Sequence, residues 1–249
     1  MAIKKNISLF HHSWNFLISL MLTPFIVSAQ TYLVVPDTVK AAFSTAISTY
    51  HESRGEYLRL YNGPEFIPHL PANKGFAFFD SPAMASGVVC YENIVYKDVS
   101  LMYDLVRDEL IVRHPANSRL IVLQTPKVKY FTHASHTFIN GLYKNIPELQ
   151  TGYYDQLVTG KITILAKRKK TQQESYEGNN INRRFDYSVT YLAEDEGLIS
   201  TVRSRKSLMK LFGSRRDEVQ KYLNKNKIRF RKNREESIIQ ITRYFNQLN

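Results

Sequence analysis

Residues 87–114 read GVVCYENIVYKDVSLMYDLVRDELIVRH, and the alternation inside this stretch decides the fold. Val88 to Tyr91 and Ile94 to Lys97 form two short runs across Glu92-Asn93, a hairpin pattern. Next, Val99, Leu101, Tyr103 and Leu105 point to one side of a strand, with Ser100, Met102 and Asp104 on the other. Arg107-Asp108 turns the chain, and Glu109 to His114 begins the pattern again. Working outward, Arg119 to Leu123, Val128 to His133, His136 to Asn140, Gly152 to Val158, Ile162 to Lys167, Tyr187 to Tyr191 and Leu198 to Val202 read as further strands. The polar, Gly/Asn-containing break from Lys169 to Asn182 reads as a mobile hairpin loop. Sequential strands with short turns predict an antiparallel meander. About nine or ten strands are enough for a strongly curled, barrel-like sheet.

Upstream of this run, residues 62–86 carry Pro64, Pro68, Pro71, Gly75 and Pro82, which forbid a long regular element. Phe66, Ile67, Phe76, Phe78 and Phe79 lie in the same stretch, so the loop is expected to pack onto the sheet or line a pocket at its edge. Tyr57 to Tyr61 reads as a short strand. Before it, Val39, Phe43, Ile47 and Tyr50 share one face of a helix capped by Asp37 and ended by Gly55. At the start, Lys4 and Lys5 precede an apolar run from Trp14 to Val27, and Val27-Ser28-Ala29 supplies a cleavage site: residues 1–29 read as a secretory signal peptide. No later stretch is apolar for long enough to span a bilayer as a helix. Cys90, the only cysteine, sits in an apolar strand and is expected to be a buried hydrophobe.

Downstream of the strands the period changes. Ser204 is placed to cap a short helix carrying Leu208, Leu211 and Phe212 and ended by Gly213. Ser214 is expected to cap a second, with Asp217 and Glu218 in its first turn. Asn233 and Glu236 have capping-box spacing before a third helix lined by Ile238, Ile241, Phe245 and Leu248. The fold expected is α+β: a leader (1–29), a leading helical segment (30–56), a curled antiparallel β domain (57–203), and basic amphipathic helices (204–249) packing on the sheet.

Charge is concentrated. The chain carries a net +12, residues 203–249 hold 14 basic and 4 acidic side chains, and residues 30–202 balance at 18 of each. Export makes nucleic acid an unexpected partner, so anionic lipid, envelope polysaccharide or an acidic protein face fits better. A solvated helical face is the plainer explanation. Two basic runs stand out. Lys167, Arg168, Lys169 and Lys170 end a predicted strand, where they either guard a sheet edge or meet phosphates. Arg229, Phe230, Arg231 and Lys232 place an aromatic among basic residues, which suits a membrane surface or polyanion, unless Phe230 is simply buried.

Catalytic signatures are missing. No nucleophile elbow, zinc-protease helix, phosphate-cradling glycine loop or dinucleotide fingerprint occurs. His133 and His136, three apart on what reads as strand, are expected on opposite sides, and no metal or cofactor is expected. Asp104, Asp108, Glu109 and Asp155 include enough carboxylates for an acid/base pair, although Asp108-Glu109 reads as a turn. Glu194-Asp195-Glu196 reads as a solvated hairpin tip rather than a calcium loop.

Three segments carry a resemblance: Leu60-Tyr61-Asn62-Gly63-Pro64-Glu65-Phe66; Gly152-Tyr153-Tyr154 with Leu157 and Gly160-Lys161; and Phe230-Arg231-Lys232-Asn233-Arg234-Glu235. Together they resemble a group of exported, uncharacterised proteins of Bacteroidota-type bacteria, over nearly all of the chain after the leader. The resemblance implies export and brings no catalytic residue, ligand or fold. The functional expectation is an exported, non-enzymatic protein of the periplasm or outer envelope that binds a protein or anionic partner. The alternatives are a carrier of an apolar ligand in a β cavity, supported by 16 Tyr and 14 Phe, and a hydrolase using a carboxylate pair.

Overall fold

Ten strands are built: β1 Ala85–Tyr91, β2 Ile94–Asp104, β3 Glu109–Arg113, β4 Leu120–Val122, β5 Val128–His133, β6 His136–Asn140, β7 Tyr153–Val158, β8 Ile162–Glu177, β9 Asn180–Asp195 and β10 Leu198–Thr201. The computed structural model describes residues 59–248 apart from 145, 147, 148 and 179. The expected signal peptide and the helix beginning near Asp37 lie outside the described residues. Where a strand from Tyr57 was expected, Arg59 and Leu60 are helical instead. Five alternating residues are too few to separate the two periods.

Among the described residues every pairing between strands is antiparallel, in the order β10-β9-β8-β7-β6-β5-β1-β2-β3-β4. Two meanders, β1–β4 and β5–β10, are therefore joined where β5 returns to β1. Glu92 and Asn93, at φ of 50° and 66°, make the left-handed two-residue turn between β1 and β2. The two runs expected between Ile94 and Leu105 are one strand, kinked at Asp98 (φ 55°), opposite a register slip between Gly87 and Val89.

The sheet curls but does not close, and β4 and β10 remain its ends. Tyr103 of β2 meets the rings of Phe131, Phe138 and Tyr153 on β5, β6 and β7 at 5.3, 5.0 and 5.6 Å. On a flat sheet β2 and β7 would stand about 19 Å apart, four strand spacings. The Lys170 N–H of β8 even donates to Leu105 O at 3.0 Å, just past the end of β2.

The expected mobile loop between Lys169 and Asn182 is a correction. β8 and β9 keep an unbroken register from Ile162↔Asp195 to Glu177↔Asn180. Hydrophobic alternation fades there because both faces of this arm are largely solvated, so backbone pairing and cross-strand contacts such as Arg183–Glu174 carry it. The loop at 62–84 packs on the sheet as a strap, bridging Glu65 to Ile121, Lys74 to Arg184 and Phe78 to Asp104.

On the concave face, Tyr103, Phe131, Phe138, Tyr153 and Phe79 form a ring-packed core beneath β1–β7. Farther along the same face, Ile162, Ile164, Ala166, Tyr191 and Ala193 are covered by three helices, α1 Arg205–Lys210, α2 Arg216–Lys225 and α3 Arg234–Gln247. Leu208, Phe212, Val219, Leu223, Ile238 and Phe245 fill that contact. Ser204 caps α1 in a reciprocal box with Ser207. Ser214 does not cap α2: Gly213–Arg215 forms a 3-10 turn and Arg215 takes the N-cap position. Asn233 stands at the N-cap of α3 but its side chain makes no cap bond, and Glu236 instead accepts from Gln240 at 2.8 Å. Among the described residues no helix is long and apolar enough to cross a membrane.

Candidate functional site

The helices bring the basic C-terminal residues around one groove. Arg203 leaves β10, Arg205 and Lys206 open α1, Arg229 and Arg231 lie on the α2–α3 connection, and Arg234 starts α3. These six cations line a groove of about 800 Å³, and among the described residues no acidic side chain lies in its wall. Ile228 and Phe230, both half-buried against the helical core, supply its apolar part. The connection is shaped locally. Lys227 takes a left-handed φ of 51° and the Ile228 N–H donates back to Leu223 O at 3.1 Å, the closing pattern of a helix that stops and turns.

Two of the cations are fixed by neutral partners. An Arg234 guanidinium N–H donates to Val202 O at 2.8 Å and the group lies 5.2 Å from the Tyr191 ring centroid, while Arg205 donates to Gln220 Oε1 at 2.6 Å. Arg203, Lys206, Arg229 and Arg231 are exposed and have no carboxylate partner among the described residues. Elsewhere many basic side chains are paired, for example Lys127 with Glu92, Lys144 with Glu194 and Arg215 with Glu218.

The two predicted basic runs are not brought together. Arg229, Phe230 and Arg231 line the groove, and Lys232 lines an adjoining hollow of about 260 Å³ that also contains Glu236. The other run lies in mid-strand and is occupied internally. Lys167 donates to Asp108 at 2.6 Å, Lys170 to Phe78 O at 2.6 Å, and buried Arg168 to both Asp155 and Glu235; only Lys169 is exposed. These four residues pair with β9 on one side, beyond the last β7 pairing at Ala166. Sequence reading missed Arg203, Arg205, Lys206 and Arg234 as members of the site. The signal was present only as the summed charge after residue 202.

A buried polar chain stands behind the groove. Asp155 is 1% exposed, accepts from Arg168 Nε and Nη2 at 2.8 and 2.6 Å, and from His136 Nδ1 at 2.7 Å. Arg168 also reaches Glu235 at 2.9 Å, whose other oxygen accepts from the Tyr191 hydroxyl at 2.9 Å. His133 and His136, expected on opposite sides, are directly paired across a two-residue turn, so both face the concave side. The turn between the two strands reverses the chain, and directly paired residues share a face. The Asp155 hydrogen bond holds the His136 pKa above its ordinary value, whereas burial lowers that of His133. No group of three His, Cys, Asp or Glu suited to a metal exists among the described residues.

The remaining carboxylates serve local structure. Asp104 is fully buried, accepts from the Val106 and Arg107 N–H groups at 2.8 and 3.1 Å, and binds His69 of the strap at 2.5 Å. Glu109 pairs opposite it in register, its pKa raised by burial and by Asp104. Asp108, next in sequence to Glu109, is 31% exposed and paired with Lys167 at 2.6 Å.

Comparison with protein families, curated proteins and solved structures finds no match to this chain.

Proposed function

We propose that this is an exported, non-enzymatic envelope protein that binds an anionic partner through the basic groove. One observation carries the reading: six cationic side chains converge on about 800 Å³ with no acid in the wall among the described residues. A merely solvated basic face would spread like charges apart, since their crowding costs stability. Export comes from the leader-like sequence at 1–29. The carrier reading has less support, because the concave face is filled by touching rings.

The test compares two variants with equal loss of charge. Arg229→Ala/Arg231→Ala removes groove cations, and Lys221→Ala/Lys225→Ala removes exposed cations of α2 outside it. Binding is measured by co-sedimentation with vesicles rich in anionic phospholipid and by retention on dextran sulfate. The groove variant is expected to lose at least about tenfold in affinity and to show a shallower salt dependence, with the control within about twofold. Equal loss in both would mean that bulk charge alone is responsible, and the groove reading fails.

A further inference from the structure

We infer that the groove is a phosphoryl site: it takes a ligand bearing two or more neighbouring phosphoryl groups on a partly apolar skeleton. This rests on the anion-binding reading above and names the chemistry of the anion.

Five of the six groove cations are arginines. Guanidinium presents several donors in a rigid plane and binds oxyanions through paired hydrogen bonds, whereas an ammonium acts as a point charge. One carboxylate carries a single charge and two oxygens, which one guanidinium satisfies. Five guanidiniums around one groove call for more oxygens and more charge in a small space. A phosphoryl group offers three acceptor oxygens and between one and two charges, so it engages two or three arginines at once. Carboxylates along a polysaccharide arrive singly, spaced by the sugar rings, and leave most of these donors unmet.

The fold also keeps Glu235 out of the groove, and Glu236 lines only the adjoining hollow. The first turn of α3 reads Arg234, Glu235, Glu236. Glu235 is drawn inward by Arg168 and Tyr191, and Glu236 accepts from Gln240, so Arg234 alone of the three lines the groove. The buried Asp155–Arg168–Glu235 chain thus acts as a positioning device: it orients the α3 start and withdraws a carboxylate that would otherwise compete with the ligand. Arg205 and Arg234 are held by Gln220 and Val202, pre-set to receive an anion, while Arg203, Arg229, Arg231 and Lys206 line the same groove and are exposed. Ile228 and Phe230 give the carbon skeleton an apolar wall, and about 800 Å³ is far more room than a lone phosphate needs.

The ligand could be a phosphorylated lipid headgroup or a soluble phosphorylated molecule, and the experiment separates them. Titration calorimetry of the full chain with inorganic tripolyphosphate, and with citrate as the carboxylate control, measures the chemical preference. Sedimentation with phosphatidate vesicles against phosphatidylcholine vesicles measures the lipid source. Tripolyphosphate is expected to bind at least about tenfold more tightly than citrate. Arg229→Ala/Arg231→Ala is expected to erase that margin, and Arg229→Lys/Arg231→Lys, which keeps charge but loses the forks, to reduce it severalfold. Binding to tripolyphosphate without binding to phosphatidate vesicles assigns a soluble ligand. Groove-dependent binding to phosphatidate vesicles assigns a headgroup. Equal groove-dependent affinity for citrate and tripolyphosphate overturns the phosphoryl inference and leaves anion binding standing, as does a lysine variant that binds like the parent. Absence of groove-dependent binding to every probe overturns both.

Discussion

At the scale of the residue, the most consequential contact is the Asp155–Arg168 pair. Both side chains are almost completely buried, at 1% and 6% exposure. Burial of charge is tolerated only while the partner stays in place. Asp155→Ala is therefore expected to lower unfolding stability by about 1–3 kcal/mol, read from denaturant titration, because buried Arg168 keeps only the part-exposed Glu235 as a charged partner. The double variant Asp155→Ala/Arg168→Met should recover much of the loss; a single variant as stable as the parent would show that the pair is not what holds this region. The two histidines beside it make opposite contributions to pH dependence. The folded-state pKa of His133 lies below its unfolded value of about 6.5, so the unfolded chain takes up a proton first and stability falls as pH drops through this window. His136 is raised, so its contribution is present below about pH 6.5 and is lost as pH climbs through the folded value. The groups facing them are Asp80, Asp155, Arg168 and Glu235. Thermal unfolding between pH 5 and 8 is expected to show His133→Leu flattening the acid decline, and His136→Leu losing more at the acid end than at the alkaline end. Parallel pH curves for the two variants would contradict this assignment.

At the scale of the element, β7 and β8 are locked to the β2–β3 turn by an ion pair that needs a glycine beside it. Gly152 has a φ of +124°, and an added Cβ would fall 2.1 Å from Asp108 Oδ2 and 2.7 Å from Lys167 Nζ. Gly197, in the β9–β10 turn, has a φ of +83° but nothing within 4 Å of the same position. Gly197→Ala should cost only the backbone term, about 1–2 kcal/mol. Gly152→Ala should cost more, because it adds displacement of Asp108 from Lys167 and the Tyr103 hydroxyl. Denaturant midpoints of the two variants test the order, and an equal cost would mean that the pair relaxes freely. Strands were legible where one face is buried. Val128–His133 and His136–Asn140 were read to the residue, because their alternation records the concave core. The outer halves of β8 and β9 were not, because residues such as Thr171, Gln173, Glu174 and Ser175 face solvent and leave no periodic trace.

At the scale of the whole molecule, the sheet and the helices divide the work. The neutral β portion curls until its aromatic residues meet across four strand positions, and that curl brings Arg168 of β8 within reach of Glu235 on α3. The basic portion is anchored there through Glu235, with Arg234 beside it lining the groove. The charge excess is thus located in residues 203–249, and six of their fourteen basic side chains line the groove.

The sequence by itself determined the antiparallel strands, their turns, the three C-terminal helices and the position of the charge excess. Each of these is a local property: a period of two or of 3.6, a turn residue, a count of lysines and arginines along one segment. Only the tertiary structure decided that Lys167, Arg168 and Lys170 are spent on internal partners while Arg203, Arg205, Lys206, Arg229, Arg231 and Arg234 share a groove. It alone put His133 and His136 on one face and set Asp155 between His136 and Arg168. Those outcomes depend on strand register, on the curl of the sheet and on how helices settle over it, and such long-range geometry leaves no periodic mark in the chain.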